Sequence, residues 1–274
     1  MDFKRIKWIF LIVFIGINIF LSIEIIQTPE LLSNTPKYNL KNSNTLAKEL
    51  QNNNIKVPKT NDKQAGGYYL AASTNNKWLT QAKSHIDSDT VTLKQDTSNK
   101  SLTAKLSSPI SVSKNKNKAL KEVENFKNNS EYVYHGDQYE YVAKLSNEQD
   151  YVFLQKTPYG LLYANRARLH ISLKNNRIVS YYQRYTNRVF PVRERQTTIS
   201  SQAAIRSLYT YSELPNNSKV LWIKFAYTKL IQVRGSVIFL PSWIAAIEND
   251  DNKSVTYKKV NAFTGAMIND QKGM

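Results

Sequence analysis

The strongest pattern lies near the start of the chain. Trp8 to Ile26 reads WIFLIVFIGINIFLSIEII, apolar except for Asn18, Ser22 and Glu24. A helix packed on a soluble core keeps a polar stripe at the 3.6-residue period, whereas this run is apolar all round. At about 1.5 Å per residue it would span about 28 Å, close to the roughly 30 Å of a bilayer's hydrocarbon core. The pattern predicts a spanning helix over residues 8–26 behind a short segment, 1–7. The run is longer than the apolar part of an ordinary signal peptide, and Glu24, Ile25, Ile26 and Gln27 offer no small-x-small cleavage site, so a retained anchor is expected. Lys4, Arg5 and Lys7 set the topology by the positive-inside rule, with the N-terminus cytoplasmic and the long C-terminal body extracytoplasmic.

Residues 27–66 are polar and punctuated by Pro29, Pro36 and Pro58, which predicts a stalk containing one short helix over Thr45–Gln51. From Gly67 the period changes to two. Tyr68–Ser73, Lys77–Ala82, Thr90–Lys94 and Ser101–Leu106 read as strands. In the stretch opened by Ser113, Ala119, Leu120, Val123 and Phe126 share one helical face. Strand patterns resume at Tyr139–Leu145, Tyr151–Lys156, Leu161–Leu173 and Arg177–Tyr185, with Asn175-Asn176 favouring a hairpin. A second round begins where Ser200 or Ser201 can cap a helix over Gln202–Tyr211. Strands follow at Lys219–Lys229, Ser236–Ile247 and Ser254–Phe263, the last two joined by a turn at Asn249–Lys253. The expected fold class is α+β: a membrane helix, then antiparallel sheets each covered by a helix, in lobes spanning 67–190 and 191–274.

Charge and composition narrow the function. A net charge of +17 invites a nucleic acid or another polyanion as partner. An extracytoplasmic body rarely meets nucleic acid, and no recognition motif for it is present, so no nucleic-acid partner is expected. The absence of cysteine removes disulfides, Cys-ligated zinc, iron–sulfur clusters and thiol nucleophiles together. His85, His135 and His170 are isolated in sequence, without the spacing of a metal site. Glu248, Asp250 and Asp251 form a turn cluster, for which solvation is the ordinary explanation and a glycosidase pair a remote one. Gly66-Gly67 lacks the Lys-Ser/Thr of a phosphate loop. No catalytic, metal or cofactor-binding residues are assigned, and no enzymatic activity is expected.

Asn18 and Ser22 are four residues apart on the membrane helix, so both lie on one face and are candidates for hydrogen-bonding a neighbouring helix. Their plain alternative is an Asn that is tolerated and a Ser bonded to its own backbone.

The opening MDFKRIKWIFLIVFIGINIFL, the element Ile55-Lys56-Val57-Pro58 and three C-terminal stretches together resemble the YycI (WalI) family of low-GC Gram-positive bacteria. Those stretches are AAIRSLY from Ala203, LPSWIAAI through Pro241-Ser242-Trp243, and Val260-Asn261-Ala262. The resemblance implies a non-enzymatic accessory regulator beside an essential sensor histidine kinase, YycG (WalK), that controls cell-wall metabolism, together with a YycH-like bitopic companion. It also implies that membrane helices contribute to that complex. The alternative from composition is a membrane-anchored module that holds an anionic cell-wall polymer.

Overall fold

The computed structural model describes residues 3–27, 43–87 and 89–269. Helix α1 (Phe3–Gln27) is continuous, and Ile6–Ile23 within it is long and apolar enough to cross a membrane. The body begins with α2 (Ser43–Asn52) and continues through fifteen strands and three further helices, α3 (Lys77–His85), α4 (Lys116–Asn128) and α5 (Ser201–Thr210).

The first sheet is antiparallel, in the order β4 (Val91–Asp96), β5 (Ser101–Ser111), β10 (Arg177–Gln183), β9 (Arg168–Lys174), β7 (Asp150–Thr157) and β6 (Tyr139–Tyr141). Helices α3 and α4 cover one face. Trp78, Leu79 and Ala82 of α3 and Val123 and Phe126 of α4 bury against Leu102, Ala104, Phe153, Leu169, Ile171 and Tyr181. Every second residue of each strand points into that core, as a sheet with one covered face requires. The α4 stripe follows the sequence, with Ala119 buried too and Leu120 packed at the margin. Its cap is Asn115, whose side chain accepts from the backbone N–H groups of Asn117 and Lys118. The β9–β10 hairpin turns at Asn175 and Asn176, both left-handed (φ 51° and 55°), the geometry that matches the twist of paired strands.

The second sheet is built on two long strands, β13 (Ser218–Val233) and β14 (Ser236–Asn249), joined by the two-residue turn Arg234-Gly235. The far edge of β14 is shared. Ser242–Glu248 pairs with β15 (Val255–Asn261), and Ser236–Phe239 pairs with β3 (Leu70–Ser73), which in turn pairs with β11 (Asn187–Pro191). Helix α5 lies on one face through Ala204, Ile205 and Leu208, and Ser200 caps it by accepting from Ala203 N–H.

The structure departs from the sequence reading at five places, the simplest being Tyr139–Leu145, where the strand stops at Tyr141 and Ala143–Leu145 forms a 3-10 turn. Lys77–Ala82 is helix rather than strand, because its apolar residues Trp78, Leu79 and Ala82 fall on one helical face. Leu161–Leu173 is not one strand: it divides into β8 (Gly160–Leu161), a short 3-10 turn over Asn165–Ala167, and β9. The expected stalk is not free of the body over its second half. Leu46 and Leu50 of α2 and Ile55 of β1 (Ile55–Lys56) are buried with α5, and β1 runs parallel to the start of β13. Residues 28–42 of that stalk lie outside the described residues. Lastly, β3 and β11 come from the stretch expected to form the first lobe, yet they complete the second sheet. Chain order and sheet membership therefore differ.

One segment joins the two sheets. Strand β8 pairs with β7, and the next residue, Leu162, bridges in parallel to Tyr227 on the outer edge of β13. Tyr163 N–H donates to the Tyr227 carbonyl at 2.7 Å. Beneath this seam Leu162, Ala164 and Ala167 pack with Leu70, Tyr227, Val237 and Phe239 in a shared core. Gly160 has φ +138°, a conformation that side chains resist, and a Cβ there would also approach the Tyr227 ring.

Candidate functional site

Residues 6–23 of α1 are exposed, as a helix waiting for lipid or a partner would be. Asn18 and Ser22 share a face of this unbroken helix. The Asn18 side-chain N–H donates to the Phe14 carbonyl at 2.8 Å, so the amide satisfies part of its hydrogen-bonding capacity within its own helix. Its carbonyl oxygen remains a second functional end. Lys7 is exposed at the N-terminal end. Lys4 and Arg5 fall within the helix, but their side chains lie outside the described residues.

Among the described residues no group of three or more His, Asp or Glu is placed to hold a metal ion. The three histidines are dispersed. His85 Nδ1 contacts the Gln81 carbonyl at 2.9 Å, His135 stacks on Tyr185, and His170 Nδ1 pairs with Asp150 at 2.9 Å on the outer face of the first sheet. The acidic turn also has a structural role. Asp250 meets Lys253 at 3.3 Å and Lys56 at 3.5 Å, and the hydrogen bond from Lys253 holds its carboxyl below the usual range. That pairing pins β1 to the β14–β15 turn.

Two open grooves flank α2. The larger, about 630 Å³, lies against α5 between Glu49, Asn53, Arg206 and Tyr209. The smaller, about 430 Å³, is lined by Leu50, Val57, Gln202 and Ile205. In the larger groove Asn53 and Tyr209 are bonded to one another at 3.0 Å.

The residues that carried the family resemblance have identifiable structural duties. Trp243 Nε1 donates to the Ile199 carbonyl at 2.9 Å, tying β14 to the entry of α5. The buried hydroxyls of Ser242 and Thr228 are 2.6 Å apart across the β13–β14 pair. The Pro241 carbonyl accepts from Ala262 N–H at 2.9 Å, and Asn261 Oδ1 accepts from Phe263 N–H at 2.8 Å to turn the chain after β15. These stretches meet in one packed unit with α2 and β1, though they lie far apart in sequence. Sequence reasoning missed the buried Lys127, which reads as one more lysine of a helix carrying Glu122 and Glu124. Its Nζ donates to the carbonyls of Gly136 (2.7 Å) and Tyr139 (3.0 Å) and to Asn128 Oδ1 (2.5 Å). Burial lowers its pKa.

Several solved structures are similar to this chain at low identity. An uncharacterized protein from Eubacterium rectale ATCC 33656 is 11% identical, with a TM-score of 0.45 over 79% of this chain and 90% of that one. YycH from Bacillus subtilis is 12% identical, with a TM-score of 0.45 over 79% of this chain and 61% of that one. The Bacillus megaterium YpeB C-terminal domain is 12% identical, with a TM-score of 0.39 over 82% of this chain and 92% of that one. No curated protein matches the sequence. The family model described as YycI protein matches residues 34–263, a span running from before α2 to the turn after β15, and the chain belongs to the YycI family.

Proposed function

We propose that this protein is a non-enzymatic accessory regulator of a sensor histidine kinase of the YycG (WalK) type, acting beside a YycH-like companion in control of cell-wall metabolism. Membership of the YycI family carries this reading. The spanning length of α1 supports it by supplying a single-pass anchor, with Lys7 and its basic neighbours on the cytoplasmic side. In the bilayer, the face of Asn18 and Ser22 contacts a partner helix, where an interhelical hydrogen bond contributes on the order of 0.6–2 kcal/mol. Regulation then means that helix and body bind two signalling states of the kinase with different free energies.

The experiment is co-purification from native membranes in detergent, with a tag on the C-terminus and mass spectrometry of what is recovered. A sensor histidine kinase and a second bitopic protein are expected together. Their absence at normal expression overturns the reading. The double substitution Asn18→Leu with Ser22→Leu is expected to reduce kinase recovery, and unchanged recovery removes that helix face from the mechanism.

A further inference from the structure

The β13–β14 hairpin ends in a surface that the regulatory reading does not use. Ile231 pairs with Ile238, Ile238 with Ala71, and Ala71 with Phe190, so one row crosses four strands on one face of the sheet. Residues paired across a ladder share a face. The opposite face of these strands carries Val237, Phe239, Leu70 and Ala72 and is fully buried in the seam between the sheets. On the near face Ile231 and Phe190 are each 50% exposed and Val233 is 48% exposed. Beside them Leu230, displaced by a β-bulge, is 46% exposed. Within the row Ala71 is buried and Ile238 half-buried, so the exposed apolar side chains are the two ends of the row with Leu230 and Val233, and exposure grouped at a hairpin end needs a reason.

Cations gather at the hairpin end rather than on the row itself: Lys229 pairs with Phe239, and Arg166 bonds Gln232, which pairs with Val237, so both project from the seam-side face. Lys229 and Arg234 are exposed on the hairpin itself, and Arg234 stands at its apex. Arg166 donates to Gln232 Oε1 at 3.2 Å, and Lys100 Nζ donates to the Thr74 carbonyl, whose own N–H is bonded to the Gly235 carbonyl. Arg184 lies close enough to Arg166 for each charge to oppose the other. The acidic groups nearby are Asp96, in the field of Arg184, and Glu194 beyond the end of β11.

We propose that this hairpin end docks on the anionic surface of the lipid bilayer, with Leu230, Ile231, Val233 and Phe190 entering the headgroup boundary and the cations at the hairpin end pairing with lipid phosphates. A tip with exposed apolar side chains on one face and Lys and Arg at its apex and on the other is the composition that such an interface selects when the tip enters end-on. A soluble polyanion would satisfy the cations and leave the apolar row in water. Strand addition by a second copy is opposed by the edge strand itself. Arg188 in β11 is left-handed (φ 49°), the pairing is bulged there, and Pro191 lacks an N–H. The tether also permits docking. The tip lies at the far end of β13 from β1, about 50 Å away at strand spacing, and residues 28–42 reach about 50 Å when extended. With the hairpin entering tip-first, the start of the body stands within that reach of the bilayer and both faces of the tip meet the headgroups.

The lack of cysteine makes the test clean. The full chain carrying Leu230→Cys is labelled with a polarity-sensitive fluorophore and reconstituted in phosphatidylcholine vesicles with or without phosphatidylglycerol. Asn252→Cys, at the opposite end of β14, is the control. Flotation of the chain with the vesicles reports the anchor separately from the tip. The expected result is a blue shift and quenching by headgroup-labelled lipid at position 230 alone, requiring phosphatidylglycerol and weakened by salt. Lys229→Gln with Arg234→Gln should lower the phosphatidylglycerol preference on the order of tenfold. The proposal is overturned if the label stays polar in both vesicles, if its shift follows protein density rather than lipid charge (a second copy), or if soluble teichoic acid alone produces it.

Discussion

Lys127 and Gly136 hold one another in place: the buried Lys127 Nζ donates to the Gly136 carbonyl at 2.7 Å, while the Lys127 carbonyl oxygen occupies the space a Gly136 side chain would need. A Cβ on Gly136 would meet that oxygen at 1.6 Å. Gly136 is thus required for close approach of two backbones rather than for an unusual dihedral. Gly136→Ala should cost about 3 kcal/mol, since the clash is with backbone and the loop must move as a whole. Lys127→Met keeps the stem but removes the donor to the Tyr139 carbonyl and one of two donors to the Gly136 carbonyl, which still accepts from Tyr139 N–H, for a loss of about 1–3 kcal/mol. Urea denaturation followed by tyrosine fluorescence checks both, and two neutral outcomes would remove this lock from the first lobe.

Alkaline pH should unfold the same lobe. Burial raises the phenols of Tyr139 and Tyr181, and it pushes Tyr185 up to about 12. An unfolded tyrosine titrates near 10. Between these values the folded chain holds protons that the unfolded chain has released, so stability is complete below about pH 10 and falls as pH rises toward the folded values. Lys127 acts with the opposite sign. Its lowered folded pKa means that the unfolded chain binds the extra proton, so its contribution improves as pH climbs toward about 10.4. Phenolate absorbance should therefore rise in two steps, exposed tyrosines first and the buried ones together with loss of structure. A single smooth titration with the fold intact would contradict this.

The seam between the sheets should be the first place where the body opens. Leu162 is fully buried, and truncation to Ala should cost about 2–5 kcal/mol. Amide exchange at Tyr163, whose N–H is bonded to Tyr227, should accelerate more than exchange in the centre of either sheet. Equal acceleration everywhere would mean that the two sheets unfold as one cooperative unit.

Trp243→Phe keeps the ring volume roughly but removes the N–H that reaches Ile199. The expected cost is about 1–2 kcal/mol, because a half-buried carbonyl at the start of α5 loses its donor. Helix α5 should fray from its N-terminal end, measurable as faster exchange at Ala203 and Ala204. Unchanged exchange would assign the residue to packing alone.

The parts legible in sequence are those governed by local periodicity. The uniform apolarity of Trp8–Ile26 gave α1, the spacing of Ala119, Val123 and Phe126 gave α4, and Asn175-Asn176 gave the β9–β10 turn. Each rests on interactions among residues within a few positions of one another. Lys77–Ala82 shows the limit, since a run of six with three apolar residues fits either period until a core selects one.

Tertiary structure alone decided which segments belong together. Leu46 and Leu50 look like part of a polar linker until α5 supplies the surface that buries them. Strands β3 and β11 join the second sheet because the open half of the β14 edge must be paired, and no local signal states which strand will fill it. The row from Ile231 to Phe190 exists for the same reason. Its members are distant in sequence and become one face only when register aligns them. Sequence by itself determined the spanning-length apolar helix, the α+β class and the family resemblance, because short-range pattern and motif suffice for these. The lobe partners, the Lys127 lock and the apolar hairpin end were decided by long-range pairing, whose energies depend on neighbours that the local chain does not contain.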